Sequence, residues 1–213
     1  ILADFGADVI KVEPPEGDMT RNIGKKIAGI SGYYTQQNVG KRSICVDLLK
    51  SEGQELIKRL VAASDVVVEN FSPRVMTKYN LDYDNLLDVR SDLIMVSLPG
   101  YGRHGPHGQF VSFGGPLMAY TGMALLWGYP DSPPNTRVKV AQPDYISSTT
   151  QAFAVLSALH HRARTGAGQY IEIAQVETAA EAYNGARYEL VDGGVTATVG
   201  VKDAAPDGRT LLL

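Results

Sequence analysis

Residues 38–73 read NVGKRSICVDLLKSEGQELIKRLVAASDVVVENFSP, and this stretch decides the fold. Residues 43–48 and 65–69 are short, β-branched and almost continuously apolar. Such segments suit parallel strands buried on both faces. Between them Leu56, Ile57, Leu60 and Val61 recur at helical spacing, and Ser51 with Gln54 forms a capping-box pattern. Strand, helix, strand at this length is the unit of a wound α/β sheet.

The same alternation extends in both directions. Residues 8–12, 93–98 and 170–173 read as further strands. Ser72 as cap with Pro73 at the first helical position starts a short helix, and residues 82–89 give another. A long helix is expected over about 147–164, stopped by the glycines of TGAGQ. The fold class expected is α/β: a wound, mostly parallel sheet flanked by helices. ILADFG reads as the last turns of a helix closed by Gly6, and DGRTLLL stops inside an apolar run. Both ends are therefore expected to be cut.

Composition excludes several classes. The chain has 213 residues, 44% hydrophobic and 20% charged, as in ordinary globular proteins. A net charge of −3 offers no basic field for nucleic acid. The single cysteine, Cys45, rules out an internal disulfide framework and suits a reducing cytoplasm. Its apolar strand setting predicts a buried, inert thiol. No apolar stretch is long enough to span a bilayer, and no signal peptide is visible.

Residues 99–140 break the alternation with many Gly and Pro residues, including a second cluster, GYPDSPPNTR. Long loops of this kind in a compact domain usually carry function. They leave from the end of the 93–98 strand, where ligands of open α/β sheets bind. Asp144 follows, alone in AQPDYISS, with no other charge through Leu159. A carboxylate at a loop-to-helix junction is commonly an N-cap, so structural and chemical roles both stand open for it.

GYGRHG (100–105) matches the dinucleotide pattern GxGxxG and follows a strand. Pro106 comes next and no amphipathic helix opens there, so the helix N-terminus that would hold a pyrophosphate is missing. His104 and His107 without a third ligand make a weak metal signal, and no metal is expected. Lys11, Arg21, Lys41, Arg42, Arg74, Lys78 and Arg103 fall near strand ends and adjoining loops. Singly each reads as solvated surface; together they form a set able to neutralise a ligand with several phosphates. Phe110, Phe113, Met118, Tyr120, Met123 and Trp127 read either as core or as a pocket for an apolar acyl group.

Five segments, taken together, carry a resemblance: LADFGADVIKVEPPEGDMTR, SGYYTQQN, the 38–73 stretch, LIMVSLPGYGRHGP and TGAGQYIEIAQVETA. They resemble the family III CoA-transferases (the CaiB–BaiF family) over nearly the whole chain to about Glu189. The resemblance implies a large α/β domain over residues 1–190 lacking its first strand. Residues 191–213 would be a linker and the start of a small domain. It implies CoA as substrate, lying near Asn70, Phe71, Lys78, Gly100 and Tyr101, and an interlocked homodimer in the full-length protein. Lys78 stands where some members have Arg, and Pro14 where some have an Arg near the adenine. Asp144 matches the catalytic aspartate, which would attack a thioester and become a mixed anhydride. The reaction implied moves CoA between an acyl-CoA and a carboxylic acid, without nucleic acid, membrane or metal. The glycine-rich loop that would steady the oxyanion is not in this chain.

Racemases of 2-methylacyl-CoA share the family and need a His-Asp pair to move a proton. Phe113 and Gly114 stand where that pair would fall, and neither accepts a proton. A CoA-binding module without chemistry is the third reading.

Overall fold

The structure, a computed structural model, describes residues 1–126, 129, 131, 133 and 141–182, and the backbone of 186–191 and 194–199. Trp127, most of GYPDSPPNTR and residues 200–213 lie outside these. In chain order the elements are β1 (Ile10–Glu13), a 3-10 turn (Met19–Asn22), β2 (Lys26–Ile27), β3 (Ile30–Ser31), α1 (Gly32–Gln37) and β4 (Arg42–Cys45). Then come α2 (Ser51–Ala62), β5 (Val66–Glu69), α3 (Val75–Lys78), α4 (Tyr83–Leu87) and β6 (Ile94–Ser97). After the loop follow α5 (Gly114–Tyr120), α6 (Met123–Leu126), α7 (Gln142–Thr165), β7 (Gln169–Glu172), α8 (Gln175–Glu181), β8 (Ala186–Val191) and β9 (Gly194–Val199).

The five long-range strands read from the sequence are all present and all parallel to their neighbours. They fall into two sheets, β1–β4 and β5–β6–β7. Two short antiparallel hairpins, β2–β3 and β8–β9, complete the described strands. β6 is the middle strand of its sheet, and all four of its residues are buried. Its alternate side chains feed two cores. Met95 packs with Val61 of α2, Met76 of α3 and Leu86 of α4 on one face. Ile94 and Val96 pack with Val155 and Ala158 of α7 on the other. A parallel strand covered on both faces needs a nearly continuous apolar run, which LIMVSL supplies except at Ser97, whose buried hydroxyl bonds Glu69. A third cluster, Met118, Met123 and Ala179, ties α5, α6 and α8 together.

Three local expectations are corrected. α2 starts with Lys50 as its N-cap and makes no side-chain cap bond. Ser51 is already helical, and Gln54 donates instead to the Leu48 carbonyl at 2.9 Å, tying the helix to the turn that follows β4. Ser72 does not cap α3, which begins at Val75 behind an αR Arg74; the Val75 amide bonds the Ser72 carbonyl in a turn. Cys45 is exposed, not buried. Among the described residues β4 pairs only with β1, and Cys45 lines an open cleft with Glu13, Pro14 and Arg21. By contrast, the helix expected over 82–89 forms as α4, capped by Asp82, and α7 ends on left-handed Gly166 within TGAGQ. Among the described residues no helix is long and apolar enough to cross a membrane.

Candidate active site

The carboxyl ends of β5, β6 and β7 open toward one region. Asn70 and Phe71 follow β5, Gly100 and Tyr101 follow β6, and Gln175 follows β7. Beyond the last ladder rung the two chains stay in step. Ile173 N–H donates to Ser97 C=O at 2.9 Å, Gln175 N–H to Pro99 C=O at 3.0 Å and Val176 N–H to Gly100 C=O at 2.9 Å. This extension fixes the start of α8 against the glycine-rich loop.

Asp144 is not the N-cap of α7. The helix begins earlier, with Ala141 as cap and Pro143 in the first turn, so Asp144 stands inside that turn. Pro143 suits this position because its missing N–H would have no helical partner. The Asp144 carboxyl is thereby released from capping. It is hydrogen-bonded by Gln175, whose side chain is buried. Gln175 also reaches back to Asn70, with its Nε2 3.5 Å from the Asn70 Oδ1. On the other side lies Gly114, the first residue of α5. A Cβ there would stand 2.5 Å from the Ala141 Cβ and 2.8 Å from the Asp144 Oδ2. Only glycine admits this approach.

Burial pushes the Asp144 carboxyl above the ordinary aspartate range, and the Gln175 hydrogen bond works against that rise. Tyr33 of α1 faces the same corner. Burial, its hydrogen bond to Tyr145 and the nearby Asp144 charge push the phenol up to about 12. Gln37 donates to the Tyr145 hydroxyl at 3.1 Å. α1 therefore delivers two side chains to the head of α7.

The other expected positions fall as follows. Phe71 is 44% exposed on its loop. Tyr101 lies edge-on to Tyr120 at 5.0 Å and to Phe110 at 5.8 Å. Lys78 is exposed at the end of α3, its ammonium 5.2 Å from the centre of the Tyr79 ring. Most of the basic set already has a partner: Lys11 with Asp18, Arg21 with Glu13, Arg42 with Asp8 and Arg103 with Glu69. The aromatic and methionine group splits. Met118 and Met123 are core, whereas Phe110, Phe113 and Tyr120 are more than half exposed. Two clefts of about 330 and 350 Å³ open on the β1–β4 lobe, lined in part by Pro14 and Cys45 and by Lys11 and Lys41. Asp144 lines neither; its surroundings are Gln175, which links it to Asn70, and Gly114. Among the described residues no cluster of three His, Cys, Asp or Glu is placed to hold a metal.

The sequence profile described as CoA-transferase family III matches residues 1–206. The chain belongs to this family. A succinyl-CoA–D-citramalate CoA-transferase of Chloroflexus aurantiacus is 40% identical over 175 residues, covering 81% of this chain and 43% of that protein. A succinate–glutarate CoA-transferase of Agrobacterium fabrum is 39% identical over 185 residues, covering 83% and 46%. The crystal structure of a CaiB/BaiF family protein from Brucella suis superposes with a TM-score of 0.79 at 40% identity, over 84% of this chain and 49% of that one. The chain thus spans less than half the length of these two curated relatives. The wound α/β reading and the family III resemblance both hold.

Gln175, Tyr33 and Tyr145 escaped the reading of the sequence. Gln175 had a faint signal, being a polar residue between Ala174 and Val176 just past a parallel strand's carboxyl end. The two tyrosines had none, because 112 positions of sequence separate residues brought together only by folding.

Proposed function

We propose that this chain is the CoA-handling domain of an enzyme that moves CoA between an acyl-CoA thioester and a carboxylic acid, with Asp144 as nucleophile. The observation that carries the reading is the Asp144 carboxyl, half-buried beside the carboxyl ends of the sheet and bonded through Gln175 toward Asn70. Its anion attacks the thioester carbonyl, the C–S bond breaks, and CoA thiolate leaves behind an aspartyl-acyl anhydride. The thiolate then attacks the aspartyl carbonyl of that anhydride and releases the donor acid. An aspartyl thioester remains, and the acceptor carboxylate reverses both steps. No net proton or water is consumed, so shielding from water decides the yield.

Asn70, Phe71, Lys78, Gly100 and Tyr101 are proposed as CoA contacts. Lys78 would meet phosphate as a point charge rather than a fork. The cleft beside Pro14 gives the nucleotide end a second place to extend. The names of the relatives make succinyl-CoA the first donor to try, with glutarate and citramalate among the acceptors. We further propose residues 1–190 as the large domain with a small domain beginning after 191, a homodimer for the full-length protein, and a cytoplasmic location.

Hydroxylamine trapping on the full-length gene product tests the reading. Protein given acyl-CoA is expected to yield a hydroxamate at Asp144. Asp144→Asn is expected to lose turnover, by about 10³-fold or more, while still binding CoA. Turnover retained in that variant would reject the assigned role.

A further inference from the structure

The glycine-rich motif GYGRHG contains an arginine, and the loop folds around it. Gly102 adopts φ 79°, and a Cβ there would lie 3.3 Å from the Glu172 Oε1. That left-handed turn points the next residue, Arg103, back over the sheet. Its guanidinium then touches the segments that leave two strands. Nη2 donates to Glu69 Oε1 at the end of β5 at 2.7 Å and to Ser97 Oγ at the end of β6 at 2.8 Å. Nη1 donates to the Pro73 carbonyl at 2.6 Å, holding the loop that follows β5. The Arg103 backbone N–H donates to Glu172 Oε1 at the end of β7 at 2.6 Å.

The carboxylate it meets is itself a connector. Glu69, with a side chain only 3% exposed, accepts from Ser97 Oγ on one oxygen and from the Phe71 N–H at 2.8 Å on the other. Arg103 therefore shares one hydrogen-bonded unit with the backbone carrying Asn70 and Phe71, and sits two residues from Tyr101. Nearly all of its fork is engaged inside the protein, with a side chain only 17% exposed. A guanidinium so engaged is not free to bind a phosphate.

We propose that Arg103 is a positioning residue for CoA: it clamps the β5 and β6 loops into the one arrangement in which Asn70, Phe71, Gly100 and Tyr101 face a common ligand. This rests on the reading of those loops as the CoA site. The glycines of the motif then serve the clamp rather than a dinucleotide. Lysine in its place keeps the charge opposite Glu69 but cannot span Glu69, Ser97 and Pro73 together.

The test uses the full-length protein and free CoA as probe, by calorimetric titration, with kcat and KM for one acyl-CoA donor. Arg103→Met paired with Glu69→Gln removes the buried charge along with the clamp, so the fold is spared an unpaired carboxylate. That double variant is expected to bind CoA about tenfold or more weakly, with KM rising more than kcat falls. Arg103→Lys is expected to lie between it and wild type. A purely structural arginine would lower the melting temperature and leave CoA affinity of the folded protein unchanged, and that result overturns the proposal. Wild-type protein that fails to bind CoA overturns the site itself, a separate and recognisable outcome.

Discussion

At the scale of single residues, the chemistry turns on how Asp144 is held. Burial raises its pKa while the Gln175 amide lowers it by bonding the ionised form. The anion is the nucleophile, so activity should fall as pH drops through that raised value. Gln175→Leu removes the opposing hydrogen bond. The acid limb of the kcat/KM profile is expected to move to higher pH, with a loss of activity of up to about tenfold on that limb and little change on the plateau. An unchanged acid limb would show that Gln175 does not touch the working carboxylate. Asp144 stood out because its lone charge interrupts an uncharged run, and the family resemblance, not that pattern, gave it a chemical role. Its freedom from capping was not legible, since that depends on α7 beginning at Gln142. Gly114 shows the same divide. Its sequence excludes a proton acceptor, but only the packed position of Ala141 shows why nothing larger fits.

At the scale of elements, periodicity placed the strands to within about two residues except at the end of β4, which stops at Cys45, three residues before the expected Leu48. β6, covered on both faces, shows the most continuous apolar run. Caps were less legible. Ser51–Gln54 satisfies a capping pattern, yet the Leu48 carbonyl competes for Gln54 and wins. Polar clusters inside the first lobe left no pattern at all. Glu13, on β1, accepts from Arg21 Nε at 2.7 Å, Tyr34 Oη at 2.6 Å and Ser43 Oγ at 2.8 Å, so it joins the 3-10 turn, α1 and β4. Arg21 chiefly, with Tyr34 and Ser43, holds this carboxyl far below the usual glutamate range despite its burial. A depressed pKa gives stability that is complete above the unfolded value of about 4.3 and is lost as pH falls from there toward the folded value. Glu13 also borders an open cleft, where solvent screens the pair. Glu13→Gln should therefore cost about 1–2 kcal/mol at pH 7 by urea denaturation. The gap from wild type should narrow below about pH 4. An equal gap at both pH values would refute the linkage.

At the scale of the molecule, the two parallel sheets differ in protection. β6 is paired on both sides and fully buried, whereas among the described residues β1 and β4 pair only with each other and leave Ile10 and Val12 about 40% exposed. Native-state hydrogen exchange should find the slowest amides in β6 and distinctly faster ones in β1 and β4. Equal protection in both sheets would mean that the lobes open as one unit. The sequence by itself determined the order and type of the elements, since these follow from local periodicity, and the family, through the likeness of whole segments that also singled out Asp144 as the residue to test. Only the tertiary structure decided that Gln175 reaches Asp144, that Arg103 spans strand ends, and that Cys45 faces a cleft. Such facts depend on which distant segments share a surface, and no local pattern encodes them.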